Sequence, residues 1–564
     1  MFRINHFFST PDEFCLFPSP DPRPHPPAGH GATFLPRHLI VTCAILAFSL
    51  SSGFARPDEG HRPVADEPTS ATKQVEDTTS GDSTLWPEYS FRNGGFQLYQ
   101  SEDGESRLSL GGEMLGRYAH WHWYEGPSGG EEYDYAFKRT RLNLKYSSPR
   151  LTLFLQPQFV YMYGVPEDAF AAPPEGPLGM GGLYYKHTHD DEPDDVGLHQ
   201  AYIAVKDALL ADLMVQLGRF EYSDGLEAMT RSDGKHFNAL KKIRLGDRMI
   251  SPFGWSAFGR SFDGALLKYD KTDYNITAGL FYPTQGGWEE DINERINDIQ
   301  IIPLTLTAKR GSLVPGTEFA LFYYNYRDER DVTQRVDNSG IMQSHGGADL
   351  DIHMLGGHAV GTYNVGPGVF DVLLWGGVQT GDWYDMDHNA FAVDAEAGYQ
   401  FTDVFAKPWI RAGYYIGSGD SSPGDGDHET FFQMAPGTRK YELLPYCDLM
   451  NTEDLFVQLL TFPTEKLMVR ADYHVIRLNE ENDRWYMGSG PTQEQGRIFG
   501  YIGRPSSGEN DLSQEVDLML KYQINPHWSV SADYCHVFGG DVISGVYGED
   551  DEANYASVST TYRF

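Results

Sequence analysis

The chain has 564 residues, with 44 Lys and Arg against 80 Asp and Glu, so its formal charge is −36. An acidic surplus of this size argues against nucleic acid as a partner, because phosphate backbones bind proteins rich in Lys and Arg. Aromatic residues make up 14% of the chain, which excludes disorder for the bulk of it, since disordered chains contain few aromatic residues. A soluble chain of this length usually divides into several domains, whereas a large β-barrel does not need a growing core.

The first 90 residues contain three segments that differ in composition from the rest. Residues 1–36 are rich in Pro, Phe and His and fit either an extended leader or a misassigned start codon. Residues 37–55 begin with a basic residue, continue through about a dozen apolar residues and end on small residues, which is typical of a secretory signal peptide; a buried N-terminal helix is the alternative. Residues 56–90 are polar and acidic and predict a disordered linker.

Residues 91–564 predict an all-β fold, a transmembrane antiparallel β-barrel of about 18 strands. Segments of ~9–11 residues alternate between apolar and polar side chains, as transmembrane strands do. In one of them, Val469, Ala471 and Tyr473 share one face, and Arg470 and Asp472 share the opposite face. Short connections alternate with long acidic ones, which predicts short periplasmic turns and long extracellular loops.

The ends of the predicted strands carry two further signs of an outer-membrane protein. Aromatic residues cluster there, as at Trp121, Trp123 and Tyr124, which predicts girdles at the two bilayer interfaces. The last segment is amphipathic and ends on Phe564, the pattern that barrel-assembly machinery recognises. An ordinary edge strand of a soluble sheet is the alternative for this segment.

Charged residues recur on the strand face that alternates with the apolar one. Arg139, Arg141 and Lys145 share one face of the segment 137–146, and three neighbouring cations are difficult to bury without water or an anion. The alternation places further charged residues in the predicted interior: Arg117, Arg260, Lys268, Arg411, Arg470 and Asp472. Rings of Arg and Lys select anions in pores. The alternative is that interior arginines balance interior carboxylates.

Other candidate sites are few. The loop 419–427 contains Asp420, Asp425 and Asp427, whose oxygens suit Ca²⁺, although the spacing is not that of an EF-hand and a solvated turn is the alternative. No other cofactor or metal is predicted. Cys447 and Cys535 lie far apart, and the sequence leaves their pairing open. The sequence contains no GxSxG, HExxH or GxxxxGK[ST] motif, and we predict no enzymatic activity.

Several segments together resemble the alginate-export family of outer-membrane proteins. They read LGRFEY at 217–222, RLGDRMI at 244–250 and WSAFGRSFDG at 255–264, with further similar stretches at 424–432, 483–490 and 499–505. The similarity covers most of residues 95–564. It implies a monomeric barrel of roughly 18 strands whose electropositive constriction guides an anionic polyuronate outward by diffusion.

The resemblance also implies roles for individual residues. By motif position, Arg219, Arg260 and Asp263 correspond to pore residues of the family, and Arg139, Arg141, Arg411 and Arg470 lie in comparable strands. The alternation itself disagrees for two of them, because Arg219 shares the face of Leu217, and Asp263 that of Leu267. The linker and the loop 166–196 depart from the family, which leaves the identity of the exported polymer open.

The sequence and the resemblance therefore predict a porin in the outer membrane of a Gram-negative-type envelope. The expected partners are an anionic polysaccharide, outer-membrane lipid and the assembly machinery. Three alternatives remain open: a general or phosphate-type anion porin, a closed barrel that acts in surface binding or adhesion through its acidic loops, and a membrane-embedded hydrolase.

Overall fold

A computed structural model describes residues 95–125, 129–229, 233–330, 349–437, 442–495, 499–548 and 551–564. The predicted leader, signal peptide and linker lie outside the described residues.

The described residues form 22 strands. The first eleven are β1 Phe96–Gln100, β2 Arg107–His122, β3 Glu132–Ser147, β4 Leu151–Tyr163, β5 Asp194–Lys206, β6 Leu213–Phe220, β7 Phe262–Asp270, β8 Tyr274–Pro283, β9 Ile299–Ala308, β10 Thr317–Asp328 and β11 Leu350–Val365. The others are β12 Gly368–Trp383, β13 Met386–Phe401, β14 Trp409–Gly417, β15 Asp427–His428, β16 Thr452–Thr464, β17 Leu467–Leu478, β18 Arg484–Gly488, β19 Tyr501–Pro505, β20 Asp511–Asn525, β21 Trp528–Gly539 and β22 Glu552–Arg563.

Eighteen of these strands close into one antiparallel barrel, which confirms the predicted fold. Each barrel strand pairs with the next one along the chain, and β22 pairs with β2 to close the ring. Strand β1 pairs in antiparallel orientation with the start of β2, β15 makes a short pairing with β13, and β18 and β19 form a separate hairpin. Full closure leaves the barrel without unpaired edges, as spanning a bilayer requires.

The side chains of the barrel strands alternate between a lipid-facing and an interior face, as the sequence predicts. On β14, Ile410 is 48% exposed whereas its neighbour Arg411 is 1% exposed. On β17, Tyr473 is 42% exposed and Asp472 is 3% exposed. The apolar residues thus meet the membrane and the charged residues lie inside the barrel.

The connections at the two ends of the barrel differ in length. At one end they are tight, as at 148–150, 271–273 and 465–466, and at the other end they are long, as at 164–193, 221–261 and 418–451. Three helices lie in the long connections: Gly179–Thr188, Lys235–Leu240, which continues as a π-helical turn over Lys241–Leu245, and Asp541–Tyr547. Within the described ranges, no helix is both long and apolar enough to cross a membrane.

The predicted aromatic girdle at Trp121, Trp123 and Tyr124 is wrong. All three side chains are fully buried in an interior cluster, where Trp123 Nε1 donates a hydrogen bond to the Tyr547 hydroxyl at 3.0 Å. The reason is that Trp121 has the interior register of β2 and the long connections that fold over this end of the barrel supply apolar partners. An outward-facing aromatic residue occurs instead at Tyr163, which is 41% exposed.

Candidate functional site

Four arginines on three adjacent strands form a patch on the inner face that we call the arginine wall: Arg117 of β2, Arg139 and Arg141 of β3, and Arg563 of β22. Its carboxylate partners are Glu113, with Oε2 2.7 Å from Arg563 Nη2, and Glu221, with Oε1 3.1 Å from Arg141 Nη1. Glu113 also lies 3.8 Å from Arg139. Glu113 and Glu221 lie among three of the four guanidinium groups, and Arg117 donates to neutral acceptors, so within the described residues the wall carries a positive surplus.

A segment of the connection between β6 and β7 lies against this wall. We call this connection, residues 221–261, the inner loop; its residues 230–232 are outside the described ranges. Arg139 Nη1 donates to the carbonyl oxygens of Gly254 at 3.1 Å and Ser256 at 2.9 Å, and Arg117 Nη1 donates to that of Trp255 at 2.7 Å. These acceptors are neutral, so they hold the loop without cancelling the charge of the arginines.

The arginine wall also retains donors that are not used. Arg139 Nε and Arg141 Nη2 are buried and have no hydrogen-bond partner. Buried donors are normally paired, whereas these two N–H groups have no acceptor among the described residues.

The other charged residues predicted to line the pore have the interior register, but several are occupied. Arg411 Nη2 contacts Glu396 Oε2 at 2.6 Å, and Arg470 Nε contacts Asp472 Oδ2 at 2.5 Å. Here the alternative, in which interior arginines balance interior carboxylates, describes the structure. Lys145 and Lys268 share the interior register and are half-buried.

Arg260 lies just before β7 rather than on a barrel strand. Its Nη2 donates to the carbonyl oxygen of Ser489 at 2.5 Å, and the side chain is buried. Burial lowers the pKa of Arg260 to about 10, so the group stays charged at neutral pH. The residue thus ties the inner loop to the segment that follows β18.

The predicted pore-lining positions of Arg219 and Asp263 are wrong. Their neighbours Phe220 and Phe262 are fully buried on the interior face, so Arg219 and Asp263 have the outward register, as the alternation itself indicates. They form a bidentate pair, with Nε–Oδ1 at 2.6 Å and Nη2–Oδ2 at 2.7 Å, and Arg219 also donates to the Ile292 carbonyl oxygen. This pairing offsets the cost of two charges on the outer face.

Sequence reasoning missed the ion pairs that hold the inner loop to the barrel. Lys241 Nζ lies 2.6 Å from Glu318 Oε1, and Arg244 Nε lies 2.9 Å from Glu396 Oε1. Arg248 Nη2 contacts Asp394 Oδ2. All of these side chains are at most 1% exposed. The available signal was the spacing of the three cations, at i, i+3 and i+7, which places them on one face of a helical turn.

The inner loop extends through the barrel to the end with short turns. His236, on its first helix, contacts Asp371 near the start of β12 at 2.9 Å, and its ring lies 4.2 Å from that of Trp409. Arg310, in the short connection after β9, donates to the carbonyl oxygen of Asp233. A solute that crosses the barrel must therefore pass beside this loop or displace it.

The inner loop contains a carboxyl group that couples its two halves. Asp224 Oδ1 accepts hydrogen bonds from the backbone N–H groups of Met249 at 3.1 Å and Ile250 at 3.0 Å. Burial raises the pKa of Asp224 to about 7 from its ordinary value of 3.8, and the neighbouring Glu227 adds to this. At pH values between 3.8 and about 7, the closed loop therefore binds up to one more proton than an open loop does.

We expect the closure of the inner loop to weaken as the pH rises from about 4 to 7 and then to level off, because the folded-state pKa is raised. One proton changes the opening constant by at most about tenfold per pH unit. Hydrogen exchange of residues 242–251, corrected for intrinsic rates, measures this. Asp224→Asn should remove the dependence while keeping the acceptor oxygen, and an unchanged slope in that variant would contradict the assignment.

A second sector of the inner face is acidic. It lies on β16, β17, β20 and β21 and contains Asp454, Asp472, Glu515, Asp517 and Asp533, all at least nine-tenths buried. The basic groups of this sector include Arg470, His474 and Lys521, which has the inward register of β20. The interior is thus divided into sectors of opposite sign and is not uniformly cationic.

The aspartates of the predicted Ca²⁺ loop differ in burial, and the two cysteines do not. Asp420 is buried, whereas Asp425 and Asp427 are exposed. Two groups of three side chains could hold a metal among the described residues, and neither contains these aspartates, so the loop Ca²⁺ site stays a prediction. Cys447 and Cys535 are both buried free thiols.

A family model described as Alginate export matches residues 175–557, more than half of the chain. No curated protein matches the chain in sequence. The fold is similar to Acinetobacter baumannii OccAB2, with 10% identity, a TM-score of 0.49 and coverage of 81% of this chain and 98% of that one. Pseudomonas aeruginosa OccK9 (OpdG) gives 9% identity, a TM-score of 0.49 and coverage of 81% and 98%.

The matched span contains the whole inner loop, including the motif at 244–250 and the start of the motif at 255–264. Fifteen of the eighteen barrel strands begin within the matched span. The chain therefore belongs to the alginate export family, and it is an outer-membrane β-barrel porin.

Proposed function

We propose that the barrel conducts an anionic solute, an alginate-like polyuronate, which diffuses outward along the arginine wall. The observation that carries this proposal is the imbalance at the wall. Glu113 and Glu221 lie among four guanidinium groups, and the other acceptors of Arg117, Arg139 and Arg141 are neutral carbonyl and hydroxyl oxygens. An anion is the ligand that completes such a patch.

The chemistry of arginine suits a carboxylate-bearing polymer. The planar guanidinium presents two parallel N–H groups that match a carboxylate, and charge-assisted hydrogen bonds are stronger than those to neutral acceptors. Carboxylates of the polymer can therefore replace the carbonyl oxygens of Gly254 and Ser256 at Arg139. The unused donors Arg139 Nε and Arg141 Nη2 add two contacts.

Exchange between equivalent contacts keeps the polymer mobile. Conduction requires binding that is favourable enough for entry and weak enough for release. Arg117, Arg139 and Arg141 lie on two paired strands and offer successive carboxylate positions, so the polymer can transfer from one to the next. The acidic sector repels the same carboxylates and confines their path to β22, β2 and β3.

The experiment is a conductance measurement on the purified protein in planar bilayers, with oligouronates and neutral glucans of matched length. We expect an anion-selective current that oligouronates interrupt reversibly, with a weaker block at higher salt because screening reduces the attraction. Neutral glucans should not block it. An anion-selective current without block by oligouronates would favour a general anion porin, and a cation-selective current would refute the proposal.

A closed barrel that acts in surface binding is a second candidate. It is favoured by the inner loop, which runs through the barrel and is held there by buried ion pairs. In this case the wild-type protein would insert into bilayers without measurable conductance at any polymer concentration.

A further inference from the structure

Three side chains that can bind metal meet on the inner face of β17 and β20. Asp472 and His474 are two residues apart on β17 and therefore share a face, and Asp517 of β20 is the register partner of Asp472. One ligand-capable atom from each lies within 4.8 Å of those of the other two. The side chains are buried, with exposures of 3% for Asp472 and 0% for His474 and Asp517.

His474 is oriented as a metal ligand would be. Its Nδ1 lies 2.9 Å from Asp454 Oδ2, while its Nε2 is buried and has no hydrogen-bond partner. Histidines that bind metals normally donate their other ring N–H to a carboxylate, which fixes the tautomer and leaves a lone pair toward the ion. The pair of His474 and Asp454 has this arrangement.

The two carboxylates are held in the same manner. Asp472 Oδ2 accepts hydrogen bonds from Gln458 Nε2 at 3.1 Å and from Arg470 Nε at 2.5 Å. Asp517 Oδ2 accepts one from the backbone N–H of Leu443 at 2.8 Å. The other oxygen of each, Oδ1, is buried without a partner. Buried polar atoms are normally satisfied, so three neighbouring side chains that each retain one unpartnered buried N or O atom suit a shared cation.

We propose that Asp472, His474 and Asp517 bind one divalent transition-metal cation with the ligand preferences of Zn²⁺. Imidazole and carboxylate together suit Zn²⁺ and its neighbours, whereas Ca²⁺ and Mg²⁺ are bound by oxygen ligands alone. Three protein ligands leave a fourth position for water. The cation offsets part of the negative charge of this sector, to which Asp454 and Glu515 also contribute.

The site lies where the long connection between β14 and β16 is attached to the barrel wall. Asp517 holds Leu443 in the long connection between β14 and β16, and Glu515 lies beside Asp517 on the same face. A bound cation would fix Asp517 and with it the anchor of this connection on the barrel wall. The site lies on strands other than those of the arginine wall, so it is independent of the proposed anion path.

The test is calorimetric titration of the purified, chelator-treated barrel with ZnCl₂ and, separately, with CaCl₂. We expect one Zn²⁺ to bind per chain. The affinity for Ca²⁺ should be lower than that for Zn²⁺ by about 100-fold or more, because an imidazole ligand disfavours Ca²⁺. His474→Ala and Asp517→Asn should each lower the affinity for Zn²⁺ by about 100-fold. Asp454→Asn should lower it by about 10-fold, since it acts through the imidazole.

His358→Ala is the matched control. His358 is also a buried interior histidine that pairs with a carboxylate, Glu318, at 3.2 Å, but it lies on β11, away from the site. Its replacement should leave Zn²⁺ binding unchanged. Heat-modifiable migration in electrophoresis verifies that each variant is folded.

A measurement on the wild-type protein alone keeps the proposal testable if the variants do not fold. Co²⁺ should produce visible absorption bands of a low-coordinate site, which one equivalent of Zn²⁺ abolishes. Absence of stoichiometric Zn²⁺ binding, equal affinity for Ca²⁺, or undiminished binding by folded His474→Ala would each overturn the assignment.

Discussion

Replacing Arg139 and Arg141 by Gln is expected to abolish the anion preference of the channel, and replacing both by Glu is expected to reverse it. The wild-type wall has four guanidinium groups against two carboxylates. The double Gln variant keeps two guanidinium groups and the two carboxylates. The double Glu variant keeps two guanidinium groups and has four carboxylates. Reversal potentials under a salt gradient should therefore shift in two steps of the same sign, and both steps should shrink at high salt.

Lys138→Glu is the matched control for this series. Lys138 is adjacent to Arg139 but has the outward register, with its Nζ 5.2 Å from the centre of the Tyr161 ring. The same change of charge one residue away should leave the reversal potential unchanged. If the double Gln variant retains the wild-type selectivity, or if Lys138→Glu shifts it equally, the arginine wall is not the element that selects ions.

The barrel could be predicted because its strands obey a local rule. Side chains alternate with period two, so Tyr473 and Asp472 could be assigned to lipid and interior without any knowledge of pairing. The same rule placed Arg139 and Arg141 inside and, against the family motif, placed Arg219 and Asp263 outside. Where motif position and alternation disagreed, the alternation was correct.

The inner loop could not be predicted because its partners are distant in sequence. Lys241 pairs with Glu318, and Arg244 with Glu396, at separations that no local pattern encodes. The buried cluster around Trp121 and Trp123 has the same origin, since aromatic residues at a strand end suit a membrane interface or a covering segment equally well. The charge of the lumen depends on these tertiary contacts as much as on the strands.

Lys241→Met is expected to release the inner loop and increase the single-channel conductance. Lys241 and Glu318 are at most 1% exposed, and their charged atoms lie 2.6 Å apart. Removal of Lys241 leaves the buried Glu318 carboxylate with His358, at 3.2 Å, as its partner among the described residues. Loss of a buried partner costs about 3–5 kcal/mol. The loop should then open about 100-fold more often or more, which appears as larger and more variable current steps.

The double variant Lys241→Met/Glu318→Leu distinguishes loss of the ion pair from general damage to the barrel. With both charges replaced by apolar groups no uncompensated charge remains buried, so the loop should close again and the conductance should return toward the wild-type level. Arg327→Met is the control for charge removal, because Arg327 pairs with Asp351 at 3.3 Å at a half-exposed site, where a pair contributes about 0–1 kcal/mol. The role of this pair in closure would be refuted if Lys241→Met left the current unchanged or if the double variant opened further. An unchanged current in Lys241→Met would mean that the remaining anchors, Arg244 and Arg248, suffice to hold the loop.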